Sequence, residues 1–347
     1  MRDTSIQPTV ARWRGGQVIR RHLMTVALLM LLLVGLSVLS VSFGSREVAR
    51  EEIWSALWGQ TDTIGEAAVA MRLPRTLLAI LAGAALGMSG AIMQGITRNP
   101  LADPGIIGVN AGAAFFIVVG MAYFGLEHLQ GYVWMAIVGA AVTAFFVFAI
   151  GSLGRAGATP LKLALAGAAT SAALSCFTLA VVLPRNDIAG GVRSWQIGGV
   201  GGATFEALAM VSPFLLAGVL LAAISASKLN TLALGDELAV GLGENVALSR
   251  ACAGAAAILL CGATTAVCGP IGFVGLVIPH LCRLLIGVDH RWLLPLSALF
   301  GASLLLLADV IGRWIARPSE LAVGVVTAII GAPFFIWVVR RQRVREL

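Results

Sequence analysis

The stretch from Arg72 to Gly112 decides how this chain folds: RLPRTLLAILAGAALGMSGAIMQGITRNPLADPGIIGVNAG. Two arginines flank a proline at its start, and roughly twenty apolar and small residues then follow without a charge, which is the length of one transmembrane helix. The stretch then passes through a polar turn with two prolines, NPLADPG, before apolar sequence resumes. It predicts a membrane-crossing helix with a distinct chemical feature at each end.

Composition extends this prediction to the whole chain. Hydrophobic residues fill 59% of the 347 positions and charged residues 12%, and the mean hydropathy is +0.93. A soluble domain has about 25% charged residues, so most of this surface must face something other than water. We predict an all-α polytopic membrane protein, a single transmembrane domain over residues 1–347. Its ten helices are expected near residues 23–43, 76–96, 105–123, 132–152, 160–183, 207–226, 250–268, 271–287, 293–313 and 321–339.

The distribution of positive charge assigns the two sides of the membrane. With the N-terminus inside, the inner segments carry 16 of the 24 Lys and Arg residues, as the positive-inside rule requires. We therefore predict a multi-pass protein of the cytoplasmic (inner) membrane with both termini in the cytoplasm. Residues 1–22 and 340–347 would form cytoplasmic tails, and residues 227–249 the longest cytoplasmic loop. The net charge of +7 is explained by sidedness, and no nucleic-acid partner is expected.

Small residues predict how the helices pack. Gly83 and Gly87, like Gly108 and Gly112, lie four positions apart on one helix face, where backbones can approach closely. We expect such contacts within the subunit, with a dimer motif as the alternative. Segments 83–92 and 262–271 also share small residues and isoleucine at equal spacing on helices of opposite direction, as an inverted repeat would.

The longest outer segment, residues 45–71, carries a further helical pattern. Ile53, Trp54, Leu57 and Trp58 recur at helical spacing opposite three glutamates. The pattern predicts a short amphipathic helix at the outer interface.

The cytoplasmic loop 227–249 contains LALGDELAVGLGENV. Gly241 and Gly243 interrupt it, so we predict two short helices joined by glycine. The loop is unusually apolar, which favours a docking surface over an ordinary solvated loop. Aspartates at Ala239 and Leu242 are expected to disturb docking and leave the chain folded.

Arginines gather at the predicted outer mouth. Arg72 and Arg75 begin the second helix, and Arg313 and Arg317 end the ninth. Snorkelling to the interface and bidentate capture of carboxylates on a partner both account for them. Asp309 lies one turn before Arg313 and predicts an ion pair between the two.

Motifs for catalysis are missing from the sequence. It contains no HExxH, GxSxG or paired-carboxylate signature, and no GxxxxGK[ST] for nucleotide hydrolysis. His280 and Cys282 stand two residues apart and would point away from each other on a helix. The five cysteines lack CxxC spacing and are interpreted as small buried thiols. We expect no catalytic residue, no metal site and no directly bound cofactor.

Six blocks of the sequence resemble the permease subunits of type II ABC importers, the FecCD-type family that takes up ferric siderophores, haem and cobalamin. They keep the family's order from residue 72 to residue 341. The blocks are RLPR (72–75), SGAIMQGITRNPLADPGIIGVNAGA (89–113), LALGDELAVGLG (232–243), GPIGFVGLVIPHLCR (269–283), DHRWLLPLSALFGASLLLLAD (289–309) and ELAVGVVTAIIGAPFFIWVVRR (320–341).

The resemblance implies an inverted-repeat permease fold in which two permease subunits, identical or paralogous, enclose the translocation path. It also implies two cytoplasmic ATP-binding subunits, which would use the ATP, and a periplasmic or lipid-anchored substrate-binding protein. It assigns ATPase coupling to Leu234, Gly235, Asp236, Ala239, Leu242 and Gly243. It assigns docking of the binding protein to Arg72, Arg75 and Arg313, and the cytoplasmic gate to Asn99, Pro100, Leu101, Thr159 and Pro160.

Segments 98–113 and 287–295 look most like those of ferric-siderophore permeases, with a catecholate as the favoured iron chelate and haem or cobalamin as the alternative. Alternating access driven by the separate ATPase would carry the chelate across the lipid. Two other functional hypotheses stay open. An ion-gradient-driven transporter would usually show more intramembrane carboxylates, and an intramembrane enzyme would have only His280 and Cys282.

Overall fold

The computed structural model describes residues 8–44, 47–105, 107–126, 128–153 and 159–341. This described part consists of helices and connecting segments, without a β-strand. The helices are α1 (Pro8–Ser42), α2 (Arg50–Leu57), α3 (Ile64–Thr97), α4 (Val109–Tyr123), α5 (Leu129–Gly151), α6 (Pro160–Val182), α7 (Asn186–Gln196), α8 (Phe205–Leu232), α9 (Asp236–Gly241), α10 (Val246–Cys268), α11 (Val274–Ile286), α12 (His290–Ile315) and α13 (Val323–Arg341).

Each of the ten predicted transmembrane helices coincides with one of these elements, which confirms the all-α polytopic architecture. Seven helices of the described residues are long and apolar enough to cross a membrane, and α4, α11 and α13 are shorter apolar helices. The two predicted cytoplasmic tails, residues 1–22 and 340–347, stay a prediction. Because α1 begins at Pro8 and α13 ends at Arg341, residues 8–22 and 340–341 are helical, whereas residues 1–7 and 342–347 lie outside the described residues.

Helix α3 is the centre of the bundle and packs closely on α12. A Cβ atom at Gly83 would overlap the carbonyl oxygen of Gly301, and one at Gly87 would overlap the carbonyl oxygen of Ser297. The helices thus meet backbone to backbone, the contact that small residues permit. The predicted packing of Gly83 and Gly87 within the subunit is confirmed.

The same principle joins α4 to α5, where a Cβ at Gly112 would overlap Gly139 and Thr143. Its predicted partner Gly108 lies just outside α4 and has φ 83°, a conformation that glycine adopts without a steric penalty. Gly108 caps the start of the helix, and a Cβ there would also meet the Thr143 side chain, so both glycines lie against α5 within the subunit, as predicted.

Helices α3 and α10, which carry the two similar segments 83–92 and 262–271, run in opposite directions and touch. The Ser89 hydroxyl donates to the Ala257 carbonyl over 2.9 Å, inside the bundle. The inverted repeat itself stays a prediction.

The predicted amphipathic helix is α2, although Arg50–Leu57 is shorter than the segment that contained it. Ala56 is buried, while the Trp54 and Trp58 rings are exposed and meet edge to face. Helix α7 was not predicted. Its Val192 packs with Val118 of α4 and Val182 of α6. The apolar residues Ile188 and Val192, four positions apart, were the sequence pattern from which this helix could have been predicted.

The ends of the helices lie at two opposite faces of the bundle. One face joins the end of α3 to the end of α8 and the starts of α10 and α12. The other joins the end of α1 to the first turns of α3 and the end of α12. We call these the inner end and the outer end, following the charge count.

Candidate functional site

The predicted coupling loop lies at the inner end, and the connection between the two long helices that flank it is shorter than predicted. Helix α8 continues to Leu232 and α10 starts at Val246, so the connection comprises residues 233–245 instead of 227–249. Of the two predicted short helices, one is α9, and the other is the first turn of α10. The Asn245 side chain caps that turn by accepting from the Leu248 N–H over 3.0 Å.

Two glycines set the shape of this loop. Gly235 has φ 114° and precedes α9, and Gly243 has φ 83° and follows it. Both values lie in the region that favours glycine over every other residue. They allow the chain to turn sharply into and out of a helix of only six residues, Asp236–Gly241.

Helix α9 has one buried face and one exposed face. Ala239 is fully buried, at 0% exposure, whereas Leu238 is 61% exposed and Leu242 is 68% exposed. Leu234 and Val240 extend the same exposed apolar surface. The expectation that an aspartate at Ala239 leaves the chain folded is therefore wrong, because that carboxylate would have no access to water.

Asp236 ties the loop to two other helices. Its Oδ1 atom accepts from Arg250 on α10 over 2.9 Å and from Arg98, the residue that ends α3. The Arg98 Nε also donates to the Leu232 carbonyl at the end of α8 over 2.8 Å. Arg98 thus contacts both ends of the segment that leads from α8 into α9.

The predicted gate residues follow Arg98 directly. The Asn99 side chain accepts from the Leu101 N–H over 3.0 Å, and the Asn99 carbonyl accepts from the Ala102 N–H over 3.1 Å, which fixes a tight turn. Pro100 and Leu101 then line a small cavity. The other lining residues are Leu276, His280, Phe334 and Phe335.

The other predicted gate residues, Thr159 and Pro160, begin α6. The Thr159 hydroxyl caps the helix by accepting from the Lys162 N–H, and Pro160 takes the first helical position. The Lys162 ammonium group donates to the Leu153 carbonyl at the end of α5 over 3.1 Å. Residues 154–158 between them lie outside the described residues.

A polar junction lies beside the gate turn at the inner end. His290 packs against Gly95 of α3, and its Nδ1 lies 2.9 Å from the Asn230 side-chain oxygen. The Asn230 amide donates to Asp289 over 2.6 Å. Burial works against the charged form of Asp289, but the Arg291 N–H and the Asn230 amide lower its pKa below the ordinary value.

The predicted docking arginines point into the protein at the outer end. Arg313 is only 2% exposed and donates to the Ser40 and Phe43 carbonyls. Arg72 donates to the Val41 and Ser42 carbonyls over 3.0 and 3.1 Å. In this conformation the two guanidinium groups hold the end of α1, a task that the sequence did not reveal.

Arg75 and Arg313 share a buried carboxylate. Asp309 is 0% exposed and lies 2.8 Å from Arg75 and 2.8 Å from Arg313, which confirms the predicted pair with Arg313. Arg75 also pairs with Glu320, which is 37% exposed. Sequence reasoning missed the pairs of Arg75 because their partners lie more than 230 positions away. Docking of a partner on these arginines stays a prediction.

The described residues contain no group of three or more His, Cys, Asp or Glu side chains placed to hold a metal ion. Cys261, Cys268 and Cys282 are buried as predicted, but Cys176 is exposed and Cys252 is half-buried. The His280 ring meets the Phe334 ring edge to face at 6.0 Å. His280 is also one of the residues that line the small cavity beside the Asn99–Leu101 turn.

Comparison with known proteins places this geometry in a family. The model of the FecCD transport family matches residues 30–341. The ferric enterobactin transport system permease protein FepD of Escherichia coli is 43% identical over 94% of this chain and 98% of its own. The hemin transport system permease protein HmuU of Yersinia pestis is 38% identical over 91% of this chain and 95% of its own.

A solved structure gives the same result for the fold. An inward-facing metal-chelate type ABC transporter matches with a TM-score of 0.77 and 31% identity, over 92% of this chain and all of that chain. The family model's match, residues 30–341, runs from within α1 to the end of α13.

Proposed function

The chain belongs to the FecCD transport family, and from that premise we propose that it is the membrane-spanning permease subunit of an ATP-driven importer for an iron chelate. The observation that supports this most directly is α9. It presents Leu238, Val240 and Leu242 to the surroundings at the inner end, while Ala239 anchors it in the bundle. An exposed apolar patch on a structured knob is typical of a protein-docking surface.

The partner for this patch is a cytoplasmic ATP-binding subunit. The sequence contains no phosphate-binding loop of its own, so an ATP-driven mechanism requires a separate ATP-binding chain. We propose two ATP-binding subunits, a second permease subunit and a binding protein at the outer end. This chain would then perform no covalent step, and both of its termini would lie in the cytoplasm.

The proposed substrate is a ferric siderophore of the catecholate type. FepD, whose name specifies ferric enterobactin, is 43% identical and matches nearly end to end. A second similar relative is the siderophore transport system permease protein YfiZ of Bacillus subtilis, at 44% identity over 78% of this chain and 81% of its own. Haem is the second candidate, because HmuU also matches over nearly its full length.

In the proposed cycle the residues of this chain position the partner proteins and transmit movement between the two ends of the bundle. A loaded binding protein docks at the outer end, where Glu320, the partner of Arg75, is 37% exposed. ATP-driven closure of the ATPase moves α9. The Asn99–Leu101 turn opens at the inner end, and the chelate leaves the path between the two permease subunits.

Reconstitution in lipid vesicles tests this proposal. The complex would be purified through a tag on this chain and supplied with its binding protein and ferric enterobactin, ferric citrate or hemin. Uptake that needs ATP and is largest for ferric enterobactin is the expected result. Uptake driven by a proton or sodium gradient without ATPase would refute it, and preference for hemin would refute the siderophore assignment.

A further inference from the structure

We infer that Arg98 is the positioning residue that transmits movement of the coupling loop to the cytoplasmic gate, through its ion pair with Asp236. The inference rests on the proposed function, because it assigns the route by which an ATP-driven displacement of α9 reaches the gate turn. The first observation is positional. Arg98 immediately precedes Asn99, so a force on its side chain acts on the first residue of that turn.

The second observation is the direction of the other contacts of the loop. Glu244 pairs with Lys228 of α8 at 4.0 Å and with Ser249 of α10, so it returns to the helices that flank the loop. The contact of Asp236 with Arg250 likewise ends on α10. Among the polar side-chain contacts of the described residues, the ion pair between Asp236 and Arg98 connects the loop to the end of α3, next to the predicted gate turn.

The third observation is the fixed geometry of Arg98 itself. Its backbone is left-handed, with φ 50°, which is uncommon for a residue other than glycine. Its Nε is held by the Leu232 carbonyl, so the side chain has little freedom to follow α9 without moving its own backbone. A side chain held at both ends transmits displacement, whereas a flexible one absorbs it.

The gate turn is built to move as a unit. Its two internal hydrogen bonds, from the Leu101 and Ala102 N–H groups to Asn99, fix the first four residues after Arg98 into one shape. A displacement at Arg98 therefore carries Pro100 and Leu101 along together. These residues line the cavity closed by Phe334 and Phe335, so the wall of the gate shifts with α9.

The test compares Arg98→Gln with Arg250→Gln in the reconstituted complex. Both variants remove one arginine from the same Asp236 oxygen, but only Arg98 leads to the gate. The measured quantity is the number of chelate molecules imported per ATP hydrolysed. Arg98→Gln should lower this ratio by at least about fivefold, the size of a modest coupling free energy between two sites. Arg250→Gln should change it less than about twofold, because the pair of Arg250 with Asp236 ends on α10 and does not lead to α3 and the predicted gate turn.

Two further variants check that the ion pair carries the effect. Arg98→Lys keeps the charge that pairs with Asp236 but loses the Nε contact with the Leu232 carbonyl, so it should restore only part of the ratio of the unmodified chain. Arg98→Gln combined with Asp236→Asn should be no worse than Arg98→Gln alone, because both changes break the same contact.

Three results would overturn the inference. They are an unchanged ratio in Arg98→Gln, an equal loss in Arg98→Gln and Arg250→Gln, and failure of Arg98→Gln to retain the ATPase on purification. The last would mean that Arg98 shapes the docking surface. Loss of ATP-driven uptake in the unmodified complex is a separate outcome that refutes the proposed function instead.

Discussion

The buried carboxylate of Asp309 accepts hydrogen bonds from both the Nε and Nη2 atoms of Arg75, at 3.0 and 2.8 Å, across 234 positions of the chain. Its other oxygen pairs with Arg313, whose remaining donors hold the end of α1. One carboxylate thereby connects α1, α3 and α12 at the outer end. Its removal would leave the buried Arg313 without this counter-charge and Arg75 with Glu320 as its remaining carboxylate partner.

We expect Asp309→Asn to lower the free energy of unfolding by about 3–5 kcal/mol, the cost of leaving a buried charge without its partner. Tryptophan fluorescence during denaturant titration in detergent micelles measures it. Asp187→Asn is the matched control, since its pair with Arg185 is exposed and its loss should leave the midpoint almost unchanged. Equal midpoints for the two variants would contradict this account.

The close approach of α3 and α12 gives a second prediction. Gly83→Ala should destabilise the protein by about 1–3 kcal/mol, because the added methyl group meets the Gly301 backbone. Gly254→Ala on α10 has open space around its Cβ and should stabilise by roughly 0.5–1 kcal/mol through the helix preference of alanine. Both follow from unfolding curves of the same preparation. A stabilised Gly83→Ala variant would show that the helices separate more easily than their packing implies.

The two faces of α9 should respond differently to an aspartate. Leu238→Asp should weaken binding of the ATP-binding subunit at least about tenfold, as at a central apolar position of an interface, and leave stability unchanged. Ala239→Asp should lower the free energy of unfolding by more than about 2 kcal/mol, because its charge is buried. Co-purification and thermal unfolding separate these outcomes. Unimpaired ATPase binding by Leu238→Asp would exclude this surface as the docking site.

The gate cavity supplies a fourth prediction. Phe334→Ala removes a ring from the wall beside Pro100 and Leu101, so the closed path should leak. We expect efflux of the trapped chelate without ATP to rise several-fold in vesicles. Phe145→Ala, on the exposed face of α5, is the control and should not raise the rate of efflux. A tight Phe334→Ala variant would argue against a gate at the Asn99–Leu101 turn.

The sequence predicted what depends on local pattern. Hydropathy located ten apolar helices, seven of them long enough to span a membrane, and the spacing of Asp309 and Arg313 predicted their ion pair, because both signals are contained in a few turns of one helix. The glycine pair Gly83 and Gly87 likewise predicted close packing, although not its partner on α12. Helix α7 escaped notice because eleven residues with two adjacent glycines give a weak pattern.

Contacts between distant segments could not be predicted. Arg98 and Asp236 are 138 positions apart, and Arg75 and Glu320 are 245 apart, so no periodicity connects them. The same limit explains the outer arginines, whose carbonyl partners at the end of α1 carry no side-chain signature. A loop rich in leucine predicted a docking surface, but only coordinates separate the buried Ala239 from the exposed Leu238.

The interlocked backbones of α3 and α12 restrict how this protein can change shape. Carbonyl oxygens of one helix lie where the other lacks side chains, so sliding or rotation at this contact would force backbone atoms together. The two helices must therefore move as one rigid body, and the ion pair between Arg75 and Asp309 joins them at the outer end. Opening to either side of the membrane has to occur at other boundaries of the bundle. A disulfide engineered between α3 and α12 should leave transport intact, and this makes the pair a fixed frame for measuring which helices move.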